Sequence, residues 1–116
     1  MAVYVETKNA TALLKSFKDA VEQSESKGKI TTWKLSEDKR YLTHASKQWE
    51  YAAWMKPVVE ANRLAFYIIR PKNKAVSKTA YGFYHGHMVE TFLNHFDQDF
   101  ETLEATALPD DHDNVS

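Results

Sequence analysis

The residues best suited to chemistry fall within seven positions, Tyr84-His85-Gly86-His87-Met88-Val89-Glu90, which carry a phenol, two imidazoles and a carboxylate. An imidazole changes charge near neutral pH and can serve as a general base or acid. If the stretch is helical, Tyr84, His87 and Glu90 follow one another at one-turn spacing and share a side. With His44 reaching in across a sheet, they form the candidate catalytic set of a small enzyme whose pocket would lie between sheet and helix. The competing reading of His44 is a half-exposed sheet residue. Tyr84 sits in an apolar stripe and can equally be core.

The same region raises metal binding. His85, His87 and His95 stand near Glu90 and Asp97 in the sequence, and imidazole and carboxylate are good ligands for a divalent ion. The spacing argues against it. A His-x-His pair grips one ion on a strand and not on a helix, and eight helical residues set His87 and His95 about 12 Å apart along the axis. There is no HExxH, and a chain without cysteine has no thiolate ligands or cysteine nucleophile. No metal site and no cofactor is assigned. Nucleophile elbow, phosphate loop, dinucleotide fingerprint and EF-hand are all missing from the sequence.

Two sets of binding candidates remain. Arg70, Lys72, Lys74 and Lys78 make the densest basic cluster and form an anion-contacting patch or a solvated loop. Adding Arg63 gives a nucleic-acid reading, but the pI near 6.5 counts against it. Trp33, Trp54, Tyr67 and Tyr81, with Phe66 and Tyr84, would line an apolar pocket for a small ligand, or simply fill the core.

The elements that must position these residues are readable from periodicity. AVYVET (2–7) alternates as a strand. Leu13, Leu14, Phe17, Ala20 and Val21 recur at helical spacing, predicting a helix over about 10–25 capped by Asn9 or Thr11 and stopped by Gly28. KITTWKLS (29–36) and RYLTHAS (40–46) read as paired strands. Residues 47–56 admit helix, with Ser46 as cap, or a strand running on into Pro57-Val58-Val59-Glu60; the strand completes a meander and is preferred. Pro57 cannot donate a ladder hydrogen bond, so that strand lacks a partner there, is bulged, or begins after it. Asn62 suits a tight turn. Leu64–Ile69 is apolar on both alternating faces, as expected of a central strand.

From Ser77 onward the period is helical, with Tyr81, Tyr84, Met88, Phe92, His95 and Phe96 in one stripe. Gly82 and Gly86 weaken a helix, so it starts late near Gly86 or uses the glycines for close backbone approach. The expected span is about 79–98. ETLEATAL (101–108) alternates as a last strand, and PDDHDNVS is read as a disordered acidic tail (109–116).

The expected architecture is therefore α+β: a single domain over 1–108 with a mainly antiparallel sheet of five or six strands, a central meander at 29–70 and two packed helices. The chain is 116 residues long and 43% hydrophobic, enough for one core without staples. It has no apolar run approaching a membrane span and no basic-then-apolar leader, and the expected location is cytoplasmic. Charge is uneven. Residues 1–78 hold all 15 Lys and Arg against 8 acids, a net of +7, and residues 79–116 hold 8 acids and no Lys or Arg. Mutual attraction of the two parts, within the fold or across a homodimer, is the expected reason. The leading functional expectation is a non-enzymatic, self-associating module that binds a protein or small-molecule partner. The others are a His/Tyr enzyme and a polyanion binder, with nucleic acid disfavoured.

Overall fold

In the computed structural model, which describes residues 2–109 and 111–115, eight elements follow the expected order. They are β1 (Ala2–Glu6), α1 (Ala10–Glu22), β2 (Trp33–Leu35), β3 (Leu42–His44), β4 (Trp54–Glu60), β5 (Arg63–Ile69), α2 (Lys78–His95) and β6 (Thr102–Ala105). The strands form one sheet in the order β2-β3-β4-β5-β1-β6, with every neighbouring pair antiparallel. Both helices pack on one face of it, giving a single compact α+β domain. No helix among the described residues is long and apolar enough to cross a membrane.

Side-chain alternation builds the two faces. Leu64, Phe66 and Ile68 of β5 and Val3 and Val5 of β1 meet Leu13, Phe17 and Val21 of α1 and Tyr84, Met88 and Phe92 of α2. Phe17 sits at the centre, fully buried, with ring contacts to Phe66 at 5.7 Å and Phe92 at 5.1 Å. The opposite face carries no helix. There Ala2, Tyr4, Ala65 and Tyr67 bury one another with help from Val58. Arg63 lies 3.8 Å over the Tyr4 ring, and His112 packs against Tyr67.

Several boundaries differ from expectation for local reasons. α1 stops at Glu22, before residue 25 and Gly28, because Gln23 turns extended; Lys29 Nζ satisfies the carbonyls of Val21 and Gln23 there. Gly28, at φ +74°, takes the turn that follows. β2 is shorter than 29–36 because Ile30 N bonds to Ala20 O, tying 29–31 to the end of α1.

Residues 47–52 are neither the preferred strand nor a full helix. Ser46 O accepts from both Trp49 N and Glu50 N, making one helical turn, and Tyr51 at φ +62° breaks it. β4 begins at Trp54 and runs through Pro57. The proline is accommodated because β3 reaches β4 only where Leu42 faces Met55, leaving Pro57 a partner on the β5 side alone. Ala61 and Asn62 make the two-residue connection, neither at positive φ.

α2 starts at Lys78, well before Gly86, because Ser77 Oγ accepts from Ala80 N. The helix runs continuously through both glycines. A Cβ at Gly82 or Gly86 would meet nothing within 4 Å, so close backbone approach is not their role. It ends at His95, ahead of Asp97 and Asp99.

Residues 111–115 of the tail expected to be disordered lie along the end of β5, in line with β1. Ile68 N donates to Asp113 Oδ1 at 2.7 Å, Asn114 N to Ile68 O at 2.8 Å, and Val76 N to Val115 O at 2.8 Å. Asp110 and Ser116 lie outside the described residues. The expected attraction between the basic and acidic parts finds no ion pair among the described residues. All four pairs, Lys15–Asp19, Lys34–Glu50, Lys39–Glu22 and Arg63–Glu60, lie within the basic part.

Candidate functional site

Three of the four catalytic candidates come together. His44, at the end of β3, places Nε2 3.3 Å from Nδ1 of His87 in α2. Ser46 N donates to His44 Nδ1 at 3.1 Å, so the proton of His44 is on Nε2 and points to His87. Tyr84 directs its hydroxyl to Trp49 O, accepts from His44 N at 3.3 Å and lies 3.0 Å from Thr43 Oγ1. Glu90 is exposed on the next turn, and among the described residues no hydrogen bond joins it to the pair.

Aromatic rings close the arrangement. Phe83 stacks on His87 at 4.1 Å and on Trp49 at 4.3 Å, and Trp33 stands edge-on to His44. Below, Trp33 Nε1 donates to Thr91 Oγ1, which donates to His87 O. His44 is only 6% exposed, not the half-exposed sheet residue expected, because α2 covers this end of β3. Burial, and then the neighbouring His87 ring, hold its pKa below the usual 6.5.

These groups are a lock between α2, β3 and the 46–51 turn. Every hydroxyl and imidazole contact in it is made to protein, and the two main cavities of the surface, about 410 and 380 Å³, are lined by none of His44, Tyr84 and His87. His85, His87 and His95 point to separate surroundings: His85 is buried against Tyr81 with Nδ1 on Tyr81 O, His87 faces His44, and His95 is exposed. No three metal-ligating side chains gather among the described residues.

The apolar-pocket candidates are dispersed. Trp33 is in the core, 2% exposed. Trp54 lies on the open sheet face and lines the 410 Å³ cleft with Tyr41, Ile69, Ser36, Glu37 and Asp38. Tyr67, on the same face, donates to Glu60 Oε2 at 2.8 Å. Burial and then that carboxylate push the Tyr67 phenol well up. Burial opposes ionisation of Glu60, but hydrogen bonds from Arg63 and Tyr67 outweigh it and hold the carboxyl low. Arg63 belongs to this network, at the opposite end of β5 from Arg70, so the five-residue nucleic-acid set is not one surface. Arg70 Nη1 turns back to the carbonyls of Pro71 and Lys72. Lys72, Lys74 and Lys78 are exposed.

One member of each binding set does meet. Lys78 and Tyr81, in the first turn of α2, line the 380 Å³ groove with Val76, Gly82, Ala107, Leu108, Pro109 and Val115. Tyr81 is 8% exposed, and its buried hydroxyl has no hydrogen-bond partner among the described residues. Such a group costs about 1–3 kcal/mol where it is left unsatisfied. The rest of the wall is apolar, and Leu108 is 77% exposed on its rim. The sequence offered no signal for Ala107, Leu108 and Val115 as site residues; they arrive through the chain that leaves β6 and returns along β5. No protein-family model, curated protein or solved structure matches this chain.

Proposed function

We propose that this protein is a non-enzymatic ligand-binding module whose site is the groove at the start of α2. The observation that carries the reading is one largely apolar cavity of about 380 Å³ with an exposed cation, Lys78, on its wall. Small-ligand sites are concave, mostly apolar and supplied with a few polar groups, in the size range of about 300–1,000 Å³. His44 engages both ring nitrogens and Tyr84 its hydroxyl with protein partners, which supports a structural role for these two residues. The open cleft beside Trp54 is a poorer candidate, since its polar wall is Ser36, Glu37 and Asp38, with no cation among its lining residues.

A fragment screen read by amide chemical shifts tests the reading. Hits are expected to perturb Val76, Lys78, Tyr81, Gly82, Ala107, Leu108 and Val115 together. Hits gathered at Phe83 and His87, or none in the groove, would contradict it.

A further inference from the structure

We propose that the His44–His87 pair is a proton-operated latch that releases the start of the 46–51 turn when it takes up one proton, a device independent of the groove. Two hydrogen bonds run in series through the neutral pair. Ser46 N donates to His44 Nδ1 at 3.1 Å, and His44 Nε2 donates to His87 Nδ1 at 3.3 Å. His44 makes both only as the neutral tautomer with a bare Nδ1. His87, accepting on Nδ1, carries its own hydrogen on Nε2. An added proton cannot leave both bonds intact. If His44 holds the charge, both its nitrogens carry hydrogen, and Nδ1–H faces the Ser46 N–H. If His87 holds it, His87 Nδ1–H becomes the donor between the rings. His44 must then accept on Nε2 and carry its hydrogen on Nδ1, which again faces the Ser46 N–H. The charge strengthens the bond between the rings, so the bond given up is the one to Ser46.

The release is local. Ser46 is exposed, and its carbonyl starts the turn by accepting from Trp49 N and Glu50 N. The far end is tied separately. The Tyr84 hydroxyl donates to Trp49 O, Tyr51 N donates to Thr43 Oγ1 at 2.9 Å, and Lys34 Nζ meets Glu50 Oε2 at 2.6 Å and the Tyr51 hydroxyl at 2.9 Å. The turn therefore loosens from Ser46 to Gln48 and hinges at Trp49. The elements packed on the two rings leave the proton to the pair. β2 presents the Trp33 ring to His44, and α2 presents the Phe83 ring and the Tyr84 hydroxyl. Lys34 of β2 and Glu50 of the turn pair with each other, and Lys47 and Glu90 are exposed. Among the described residues no hydrogen bond joins any of these four charged side chains to either ring. Burial, and then the His87 ring, resist a charge on His44, which keeps the latch shut at neutral pH.

Ring-nitrogen spectra and amide exchange of the isotopically labelled full chain, recorded from pH 8 to 5, test the latch. At pH 8 the His44 hydrogen is expected on Nε2, with Nδ1 bare. On acidification Nδ1 should gain a hydrogen. The Ser46 amide should lose about tenfold of its protection with the same midpoint, after correction for the intrinsic pH dependence of exchange, as one hydrogen bond is given up. The Tyr51 amide should keep its protection throughout. His44→Asn places an acceptor oxygen where Nδ1 stands and cannot take up the proton, so its Ser46 protection should stay level across the range. A His44 Nδ1 still bare at pH 5 would overturn the latch, whether the pair has stayed neutral or His87 has swung away with the proton. Equal loss of protection at Ser46 and Tyr51 would overturn the local release, and a loss at Ser46 in His44→Asn matching the parent would overturn His44 as its cause. The parent spectra decide alone if that variant does not fold.

Discussion

Tyr81 and Tyr84 stand one turn apart on the same helix, and each buries its ring against the sheet. Their hydroxyls are treated in opposite ways. Tyr84 reaches Trp49 O, Thr43 Oγ1 and His44 N, and so joins three segments of chain. The Tyr81 hydroxyl has no hydrogen-bond partner among the described residues. The histidines divide similarly from expectation: in the pair that looked most like a catalytic centre, His44 engages both ring nitrogens in holding α2 and the 46–51 turn to β3. Buried polar groups that are all satisfied rigidify a fold. A buried group without a partner is instead a cost that the fold carries. The difference separates groups that hold the fold from those it tolerates more cleanly than residue type does.

The largest effect that would break this comparison is at the lock. Tyr84→Phe keeps the ring and removes the hydroxyl, leaving buried acceptors and the His44 amide unserved, and should lower unfolding free energy by about 2–3 kcal/mol in urea titration. A loss below about 0.5 kcal/mol would mean the lock is not holding the 46–51 turn.

The His44–His87 pair adds a pH dependence with a defined sign. His44 has a folded pKa below its unfolded value of 6.5, so the native state resists its protonation. The stability due to neutral His44 is present in full above about pH 6.5, and it is lost as the pH falls through that value toward the lower folded one. Urea midpoints measured from pH 8 to 5 should be level and then decline, and His44→Gln should flatten the decline just below 6.5. An unchanged slope in that variant would remove His44 as its source.

Smaller effects sharpen the other side. Gly86→Ala, exposed and with open space around the new Cβ, should raise stability by about 0.5–1 kcal/mol in the same titration. Lys78→Met, exposed in the first turn, should change stability by less than about 0.5 kcal/mol, because Lys78 is assigned to ligand and not to fold.

The sequence exposed the architecture well because alternation and helical spacing are local. Leu64–Ile69, the 13-17-21 stripe and the Ser77 start each needed only their own neighbours. Boundaries failed where a distant partner decided: Ala20 O claimed Ile30 N, and α2 covered His44. The site was readable only in fragments. Lys78 and Tyr81 were singled out for separate reasons, anion and apolar pocket, and nothing local joined them. The walls from Ala107, Leu108 and Val115 depend on how the chain after β6 comes back to β5, a long-range outcome that no motif announces. Conversely, the histidine cluster was conspicuous by residue type, yet its roles are fixed by Ser46 N, Trp49 and Phe83, whose contribution only packing reveals.

The most direct measurement sets the two tyrosines side by side. Tyr81→Phe and Tyr84→Phe delete the same atom from the same helix one turn apart. Unfolding free energies of the two variants and the parent, taken in one set of urea titrations, should move in opposite directions: down by about 2–3 kcal/mol for Tyr84→Phe and up by about 1–2 kcal/mol for Tyr81→Phe. A comparable loss in both would contradict the account, because it would show that the Tyr81 hydroxyl is already satisfied within the fold.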